Sequence, residues 1–432
     1  MEFRDLLFGS EHRVLDTPVD PFLEAAKISM EDQRKAWIAP AKDHEGLFLA
    51  GNVLSTREAL AKALGTSKET IPDIMIRGME NAAPFVTVDK PGVYREIDVD
   101  SIPIPTYYRT DGGPYITSGI FHAGRGGKFN LSFHRMMYMG EGKFAVRVVP
   151  RHLNALLKEA EEAGQGLRAA VSMGTDPAAL LAGSVTLPYG KDEMEVASSL
   201  STISGSGVLK VFSPVDDPEG PKAPVGTEVV LYGMFTGERA KEGPFVDVTS
   251  TIDLSGMEPG EPVFQVERAL IRDGGIVHVL LPGGFEHYMM MGIPKEPSII
   301  QSVKKVVPKV RAVRLTEGGC CWLHGVVSIS KQKEGDGKNA IMAAFSGHPS
   351  MKKVVVVDDD IDIFDDTEVE WAIATRFQAG RDMVLIEKAR GSTLDPSANP
   401  EDNTTAKLGL DATMPLNGRE RFRKVDDIST IR

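Results

Sequence analysis

The hexapeptide EGPFVD places two carboxylates, those of Glu242 and Asp247, five residues apart around a proline. Proline fixes the backbone, and Gly243 and Phe245 suit a buried, tightly packed turn. If Arg135 lies between the two acids, the three side chains form a carboxylate–guanidinium–carboxylate bridge. One acid would then be salt-bridged with a low pKa, and the other, if desolvated, would act as an acid near neutral pH. The stretch therefore predicts acid–base chemistry.

The hexapeptide NLSFHR, which begins at Asn130, combines an amide, a hydroxyl, an imidazole and a guanidinium. Alternate residues of a strand share a face, so Asn130, Ser132 and His134 are expected on one side and Arg135 on the other. Two interpretations stand side by side. The segment is either a strand edge with a solvated polar face, or part of an anion site that Arg135 forms with Arg147 of the following predicted strand.

The segment PYGKDEMEVASSL begins with a turn and continues into a predicted helix, with Glu193 and Glu195 near the helix N-terminus. Carboxylates are stabilised there by the helix dipole, so capping is the simpler interpretation. Alternatively, a carboxylate, an amide oxygen and an imidazole from three segments suit a hard divalent cation such as Mn²⁺ or Mg²⁺.

Other motifs carry weaker signals. The chain contains none of the GxGxxG, GxxxxGK[ST], GxSxG and HExxH patterns that would predict common nucleotide-binding and hydrolytic sites. The sequence GRGGK, from Gly124 to Lys128, is typical of a hairpin turn, with a phosphate cradle as the alternative. Cys320 and Cys321 lie in GGCCWLHGVVSIS, which we predict to be a buried strand. The aspartates of VVVVDDDIDIF end another buried strand and are interpreted as structural.

Composition limits the class of protein. A chain of 432 residues predicts two or three domains. The net charge of −12 disfavours binding to nucleic acid or to an anionic membrane. The first residues lack the apolar core of a signal peptide, no run approaches the roughly 18 apolar residues of a membrane span, and two adjacent cysteines form no disulfide framework. We expect a soluble protein of the reducing cytoplasm.

The pattern of elements predicts an α+β multidomain fold with boundaries near residues 105 and 300. Residues 1–105 have the mixed pattern of an α/β segment. Residues 106–300 alternate short β-like runs with Gly and Pro turns, which is typical of a barrel or sandwich. Residues 301–432 alternate strands and helices, as in an α/β domain with parallel pairing, and about 35 polar residues at their end are expected to form a mobile or partner-dependent tail.

Several segments, in this order, resemble the UbiD family of prenylated-flavin-dependent decarboxylases, and the C-terminal half is most similar to its archaeal branch. The resemblance covers most of the chain. The segments that carry it are DGGPYITSG, NLSFHRMM, RVVPRHL, LPYGKDEMEVA, EGPFVD, CCWLHGVVSISKQKEGDGKNAI and VVVVDDDIDIFDDTEVEWAIATR. The resemblance implies a central split β-barrel that binds the flavin and a C-terminal α/β domain that mediates oligomerisation.

The resemblance also implies roles for individual residues. Asn130 and Glu193, with His152 as a third ligand in some members, match the positions that hold a divalent metal, usually Mn²⁺, on the cofactor phosphate; Mg²⁺ and K⁺ are further candidates. The cofactor-binding positions are Phe133, His134, Arg135, Arg147, Val148, Val149 and His152. Glu242, Arg135 and Asp247 match an acid–arginine–acid network. In that network Arg135 orients the departing carboxylate, Asp247 donates a proton, and Glu242 holds Arg135.

The implied reaction is non-oxidative decarboxylation of an unsaturated acid, with prenylated FMN as the electron sink. The archaeal branch implies trans-anhydromevalonate 5-phosphate as substrate and isopentenyl phosphate as product, in an archaeal-type mevalonate pathway. The alternatives are a 4-hydroxybenzoate-like aromatic acid as substrate, or a non-catalytic protein that binds flavin or metal. The implied partners are a flavin prenyltransferase that supplies the cofactor and further copies of the chain, as a homodimer or a higher homo-oligomer. The candidate anchors for a substrate phosphate are Arg125, Lys128, His287, Lys331, Lys333 and Lys338.

Overall fold

The computed structural model describes residues 1–215, 217–258 and 260–422. They form two compact units, which divide between Met290 and Met291. Both units contain helices and strands, so the mixed α/β multidomain fold expected from the sequence is confirmed. Within the described ranges, no helix is both long and apolar enough to cross a membrane.

The strands follow one another along the chain as β1 His12–Val14, β2 Ala36–Pro40, β3 Phe48–Gly51, β4 Val86–Val88, β5 Tyr94–Glu96, β6 Tyr115–Ile116, β7 Ile120–Arg125, β8 Lys128–Phe133, β9 Met136–Gly140, β10 Lys143–Val146, β11 Leu167–Met173, β12 Lys210–Phe212, β13 Ala223–Pro224, β14 Val229–Ala240, β15 Phe245–Val246, β16 Ile252–Asp253, β17 Glu261–Arg272, β18 Ile276–Val279, β19 Val310–Leu315, β20 His324–Ile329, β21 Lys353–Asp358, β22 Met383–Arg390 and β23 Thr404–Ala412.

The α-helices are α1 Phe3–Phe8, α2 Glu24–Glu31, α3 Arg57–Ala63, α4 Ile71–Glu80, α5 His152–Glu162, α6 Pro177–Ala182, α7 Glu193–Ile203, α8 Phe285–Gly292, α9 Glu296–Lys304, α10 Asp336–Gly347, α11 Asp366–Arg376 and α12 Ala379–Asp382.

A nine-stranded sheet dominates the first unit. Its strands are ordered β6-β9-β10-β17-β14-β11-β7-β8, and β5 also pairs with β17. All of these pairings are antiparallel. Across the described residues the path from β6 to β8 stays open and no closed barrel is seen, so the split barrel stays a prediction.

Glycine shapes this sheet at two places. Gly126 and Gly127, with φ of 58° and 77°, turn the chain between β7 and β8, so GRGGK forms the hairpin turn that its sequence favours. Gly233 lies at a register shift between β14 and β17, where an added Cβ would lie 2.1 Å from the carbonyl oxygen of Gln265. The two long strands therefore approach too closely there for any side chain.

The core of the sheet reaches the NLSFHR segment through aromatic contacts. The buried ring of Phe121 lies 5.8 Å from that of Phe235 and 5.5 Å from that of Phe264, measured between centroids. Its edge contacts the His134 imidazole at 5.6 Å. The end of β8 is thus anchored to the hydrophobic core rather than solvated.

A second sheet of the first unit combines distant parts of the sequence. Its order is β1-β2-β3-β18, so the strand formed by residues 276–279 joins three strands from the first 51 residues. The domain boundaries expected from the sequence would separate these strands into two different domains. The division at residues 105 and 300 stays a prediction.

Local features of the sequence account for three helices of the first unit. Thr56 caps α3 by accepting a hydrogen bond from the Ala59 N–H. Asp176 caps α6 in the same way, with Pro177 at the first helical position. Helix α5 begins at His152 and is amphipathic, with the leucines of one face buried.

The second unit contains a mixed sheet ordered β19-β20-β21-β23-β22. The three central strands are parallel, as predicted, whereas both edge strands are antiparallel to their neighbours. Two predictions are wrong in part. Cys320 and Cys321 lie before β20 in a left-handed turn, not in a strand. Residues 404–412 of the expected mobile tail form β23, whose Leu410 and Ala412 are buried in a hydrophobic core; residues 423–432 lie outside the described residues.

Candidate active site

The Arg135 side chain is surrounded by carboxylates. Its Nε and Nη2 atoms donate to the two oxygens of Glu242, at 3.0 and 2.8 Å. Its Nη1 donates to Asp247 Oδ2 at 2.5 Å, and Nη2 also donates to Asp253 Oδ2 at 2.8 Å. The predicted bridge between Glu242 and Asp247 is therefore present in the structure, together with a third acid, Asp253, that the sequence analysis missed.

Aromatic side chains hold the network from one side. The Tyr115 hydroxyl donates to Glu242 Oε1 at 2.7 Å, and the Glu242 carboxylate is fully buried. The guanidinium carbon of Arg135 lies 4.3 Å from the centroid of the Phe245 ring. That ring in turn packs on Tyr115 at 4.6 Å. Glu242 and Arg135 are thereby fixed by β6 and by the turn that contains a cis Gly243–Pro244 bond.

Asp247 and Asp253 both reach Arg135 because EGPFVD continues into a short β-hairpin. Strands β15 and β16 pair with Phe245 opposite Asp253, and Asp247 follows directly after β15. By its sequence, DVTSTIDL is typical of one of the short β-like runs of this region, so the hairpin is not evident from it. The available signal was the polar stretch of residues 249–251 between the short strands, since such a stretch is typical of a hairpin loop.

The electrostatics of the network favour a charged Arg135. Burial opposes its charge, but Glu242, Asp247 and Asp253 outweigh burial and raise the pKa of Arg135 above its usual value. For Asp253, burial disfavours the carboxylate, while hydrogen bonds from Ser255 and the nearby Arg135 lower its pKa overall. Burial raises the pKa of the Tyr115 hydroxyl, and Glu242 raises it further.

Two more titratable groups face the same network. Burial lowers the pKa of His287, and Arg135 lowers it further against the effect of Asp247. Its Nδ1 accepts the Gly283 N–H at 3.1 Å. Burial raises the pKa of Asp111, although backbone N–H groups that include that of Tyr108 favour its charged form. His287 is the one predicted phosphate anchor that the structure places at this site.

The other clustered side chains surround Glu193, the first residue of α7. Its Oε2 accepts hydrogen bonds from the Asn130 side chain at 3.0 Å and from the Leu131 N–H at 2.8 Å. The chain of contacts continues from Asn130 Oδ1 through the Ser132 hydroxyl to the His134 imidazole, at 2.8 and 2.9 Å. Asn130, Ser132 and His134 thus act from one side of β8, as the alternation predicts.

Asn130, Glu193 and His152 form a set of donors that fits a hard divalent cation. The Nδ1 atom of His152 lies 3.6 Å from Glu193 Oε1. Burial raises the pKa of Glu193 to about 7, because its hydrogen bonds only partly compensate for the loss of water. Burial also lowers the pKa of His152, which favours the neutral, ligating imidazole. A cation there would stabilise the buried carboxylate of Glu193.

The set of Asn130, Glu193 and His152 includes an amide and so is not a cluster of acids and histidines only. Among the described residues, no group of three or more His, Cys, Asp or Glu side chains is placed to hold a metal. The predicted set contains only two such residues. Asn130, whose amide nitrogen donates to Glu193 and whose oxygen accepts from Ser132, would supply its amide oxygen as the third donor. Glu195, the other acid in the first turn of α7, is half-buried, and the cap of that helix is Asp192, which accepts the Met194 N–H at 2.8 Å.

The predicted cofactor-binding segments adjoin both clusters. The Arg147 N–H donates to the Arg135 carbonyl at 3.1 Å, and His134 Nδ1 lies 3.0 Å from the Arg147 carbonyl. Phe133 is half-buried at the end of β8, and Val149 is exposed. Helix α5 begins beside the Glu193 cluster at His152, and no side chain caps its N-terminus. A helix N-terminus of this kind can bind a phosphate.

The predicted anion site of two arginines stays a prediction, and both guanidinium groups are paired with acids in this structure. Arg135 is paired with three carboxylates. Arg147 forms a salt bridge with Glu261, whose other oxygen accepts the Val148 N–H at 3.2 Å. The positive charges of both arginines, which the sequence alone would assign to binding an anion, are already balanced by acids from distant parts of the chain.

The remaining phosphate-anchor candidates in the first unit lie elsewhere. Arg125 donates to Gln165 at 2.6 Å, and Lys128 donates to Glu159 at 3.0 Å. The GRGGK turn lines a cavity of about 510 Å³ together with Asp217 and Glu219. Those acids disfavour a phosphate, which supports the hairpin interpretation of that motif.

Of the phosphate-anchor candidates in the second unit, Lys331 is buried and its ammonium group is already paired. Its ammonium donates to the Met414 carbonyl at 3.1 Å and lies 2.7 Å from a carboxylate oxygen of Glu334. Lys333 and Lys338 flank the start of α10 and are exposed.

This chain is similar to known proteins along most of its length. Residues 81–285 match the Rift-related domain of 3-octaprenyl-4-hydroxybenzoate carboxy-lyase, and residues 288–412 match the C-terminal domain of that enzyme. The anhydromevalonate phosphate decarboxylase of Methanothermobacter thermautotrophicus is 44% identical over 427 residues, covering 96% of this chain and 97% of that protein. The enzyme of the same name from Aeropyrum pernix is 42% identical, covering 95% of this chain and 93% of that protein.

A solved structure is similar throughout its length. The UbiD-class enzyme HmfF from Pelotomaculum thermopropionicum, in complex with FMN, has a TM-score of 0.91 and 34% identity, covering 99% of this chain and 98% of that one. An evolved dimeric form of HmfF in complex with prFMN has a TM-score of 0.88 and 32% identity, covering 99% of this chain and 97% of that one.

We predict that Glu242→Ala destabilises the first unit by about 3–5 kcal/mol, because it leaves the buried charge of Arg135 and the Tyr115 hydroxyl without their main acceptor. Glu242→Gln keeps the shape and is expected to cost less. Urea unfolding measures both. Glu159→Ala, which removes an exposed partner of Lys128, is the control and should change stability little. Equal stability of the Glu242→Ala protein and the wild type would contradict the structural role of this pair.

Proposed function

We propose a function for this chain from one premise: it belongs to the UbiD family of decarboxylases. It is therefore a carboxy-lyase, and we infer that it converts trans-anhydromevalonate 5-phosphate to isopentenyl phosphate and CO₂ with prenylated FMN. The archaeal relatives that share at least 42% of their residues with it bear the name of that activity. The observation that carries the proposal is the buried Arg135, held between Glu242 and Asp247.

Arg135 is suited to orient the carboxylate that leaves as CO₂. A guanidinium has five N–H donors, and within the described residues four hydrogen bonds from Arg135 go to acids. The donor that remains is on Nη1, beside Asp247. A substrate carboxylate bound there would lie against the predicted proton donor, with its orientation fixed before the bond breaks.

Asp247 is the proposed proton donor. Its side chain is 16% exposed, whereas that of Glu242 is fully buried and held by two N–H groups of Arg135 and by Tyr115. Asp247 can therefore reach a bound molecule while Glu242 keeps Arg135 in place. After CO₂ leaves, the carbon that carried it takes the proton from Asp247, and the resulting carboxylate regains a proton from solvent.

The chain offers residues that would hold the cofactor. Phe133, His134, Arg135, Arg147, Val148, Val149 and His152 are proposed to contact prenylated FMN. Asn130, Glu193 and His152 are proposed to bind Mn²⁺ or Mg²⁺ next to the N-terminus of α5, where the cofactor phosphate would also bind. When bound, prenylated FMN supplies an electron sink for decarboxylation.

The family also implies a barrel architecture, an oligomeric state and a supplier of the cofactor for this chain. The nine-stranded sheet is proposed to be the split barrel that encloses the flavin. The chain is proposed to form a homodimer or a higher homo-oligomer, since a neighbour of similar fold is described as dimeric. A flavin prenyltransferase is the proposed supplier of the cofactor.

We predict that protein produced together with a flavin prenyltransferase and Mn²⁺ releases CO₂ and isopentenyl phosphate from trans-anhydromevalonate 5-phosphate. Asp247→Asn removes the transferable proton and should lower the rate at least about 100-fold while the flavin absorbance remains. Product analysis by chromatography measures both proteins.

Two outcomes would contradict parts of this account. Flavin-loaded wild-type protein that releases no CO₂ from this compound would refute the substrate, and aromatic acids would then be tested as the alternative. Full turnover by the Asp247→Asn variant would refute the proton donor while leaving the substrate assignment intact.

The metal site gives an independent prediction. Glu193→Gln removes the charged ligand and is expected to weaken Mn²⁺ binding about 100-fold or more, since even changes behind metal ligands weaken binding by 10–100-fold. Electron paramagnetic resonance of free Mn²⁺ measures the affinity without any turnover. Glu195→Gln, two residues further along in the same helical turn, is the matched control and should bind like the wild type. Unchanged binding by the Glu193→Gln variant would rule out this site.

A further inference from the structure

The N-terminus of α7 is bound to both strands of the β7–β8 hairpin. Glu193, the first residue of the helix, accepts hydrogen bonds from β8, as described above. Asp192, the residue before it, has its Oδ2 atom 3.3 Å from the Nε2 atom of His122 in β7. His122 and Leu131 lie opposite each other where β7 pairs with β8, so the two adjacent acids are bound at the same position along the hairpin.

The position of the proton on His122 follows from its other nitrogen. Nδ1 accepts the Lys222 N–H at 2.8 Å, so the proton of the neutral ring is on Nε2, which therefore donates to Asp192. The loop that presents this N–H is itself held, because the Lys222 ammonium donates to the carbonyls of Pro218 and Gly220 at 2.7 and 2.5 Å. The surrounding structure thus sets the direction of the hydrogen bond from His122 to Asp192.

The plane of the His122 ring is fixed by packing. The residue is buried, and its ring stacks on that of Phe129 with 5.0 Å between the centroids and 6° between the planes. Gly124, which pairs with Phe129, leaves room for this stack, since an added Cβ on Gly124 would lie 2.2 Å from the Phe129 ring. Because a hydrogen bond weakens when its donor points away from the acceptor, a fixed ring keeps Nε2 directed at Asp192.

Asp192 connects His122 with the proposed metal ligand Glu193. Its Oδ1 atom caps α7, while its Oδ2 atom accepts from His122. With both oxygens bound, the Asp192 side chain ties the first turn of α7 to the sheet. Glu193 Oε2 accepts the Leu131 N–H, and its Oε1 atom lies 3.6 Å from His152 Nδ1. A rotation of this end of the helix would move Oε1 away from the other proposed ligands.

We propose that His122 is a positioning residue for the metal site: its hydrogen bond to Asp192 fixes the first turn of α7 and thereby directs the Glu193 carboxylate at the divalent cation. This role rests on the metal site proposed above. Side chains that hold a metal ligand from behind strengthen metal binding in this way, because the ligand is already oriented when the cation arrives. A histidine that served stability alone would behave differently, since both of its hydrogen bonds would then matter equally.

Two substitutions separate the hydrogen bonds of His122. A glutamine amide reaches the position of Nε2 and can donate to Asp192, whereas an asparagine amide reaches only that of Nδ1 and can accept the Lys222 N–H. We expect His122→Asn to weaken Mn²⁺ binding by the full chain about 10–100-fold, and His122→Gln to stay within about threefold of the wild type. Electron paramagnetic resonance of free Mn²⁺ measures both affinities without turnover. Each variant loses one hydrogen bond, so thermal unfolding should show similar decreases in Tm.

Asp192→Ser tests the same hydrogen bond from its acceptor. Serine still caps α7 but offers no second oxygen to His122. It should weaken Mn²⁺ binding as much as His122→Asn does, and the double variant should bind no more weakly than either single variant, because all three lack the same hydrogen bond. If His122→Asn does not fold, Asp192→Ser takes its place in the comparison with His122→Gln.

Wild-type Mn²⁺ affinity in folded His122→Asn protein would overturn the inference. Equal weakening by His122→Asn and His122→Gln would also overturn it, because a purely structural role would then account for both. Failure of the proposed function is distinguishable. Protein that releases no CO₂ from trans-anhydromevalonate 5-phosphate but shows the expected order of Mn²⁺ affinities would refute the substrate and support the role of His122. Unchanged binding by Glu193→Gln would refute the metal site and, with it, this role of His122.

Discussion

The interaction on which the site depends is the burial of one guanidinium among acids that come from separate parts of the sequence. Arg135 lies between β8 and β9, and Glu242 follows β14. Asp247 and Asp253 belong to the β15–β16 hairpin. A buried ion cluster of this kind is costly unless every charge is paired and hydrogen-bonded. The fold must therefore hold three segments in fixed positions, and that rigidity is what an oriented decarboxylation requires.

The same short stretch of backbone connects this network with the proposed metal site. Asn130 and the Leu131 N–H bind Glu193 at one end of the stretch, and Arg135 binds the acids at the other. Between them, His134 is anchored to the Arg147 carbonyl and to the Phe121 ring. A cofactor whose phosphate is bound near Asn130 would have its reactive part near Arg135. The segment between these two residues would then set the distance between the phosphate site and the reacting atoms.

The sequence predicted the chemistry better than the geometry. The alternation of NLSFHR and the EGPFVD turn are local features, and each follows from local rules. Asp253 was missed because its role depends on a two-strand hairpin too short to show periodicity. The pairing of Arg147 with Glu261, more than 100 residues away, and of β18 with β3 depends on tertiary contacts that no local pattern encodes. The cysteine turn was missed because an apolar sequence predicts burial without distinguishing a turn from a strand.

The most direct test of the central claim is the replacement of Arg135 by lysine. An ammonium is a point charge that cannot span Glu242, Asp247 and Asp253 with fixed geometry, although it keeps the charge. We expect the flavin-loaded Arg135→Lys protein to retain its flavin absorbance but to release CO₂ at least about 100-fold more slowly than the wild type. A variant that decarboxylates at the wild-type rate would show that the planar guanidinium is not what orients the reaction.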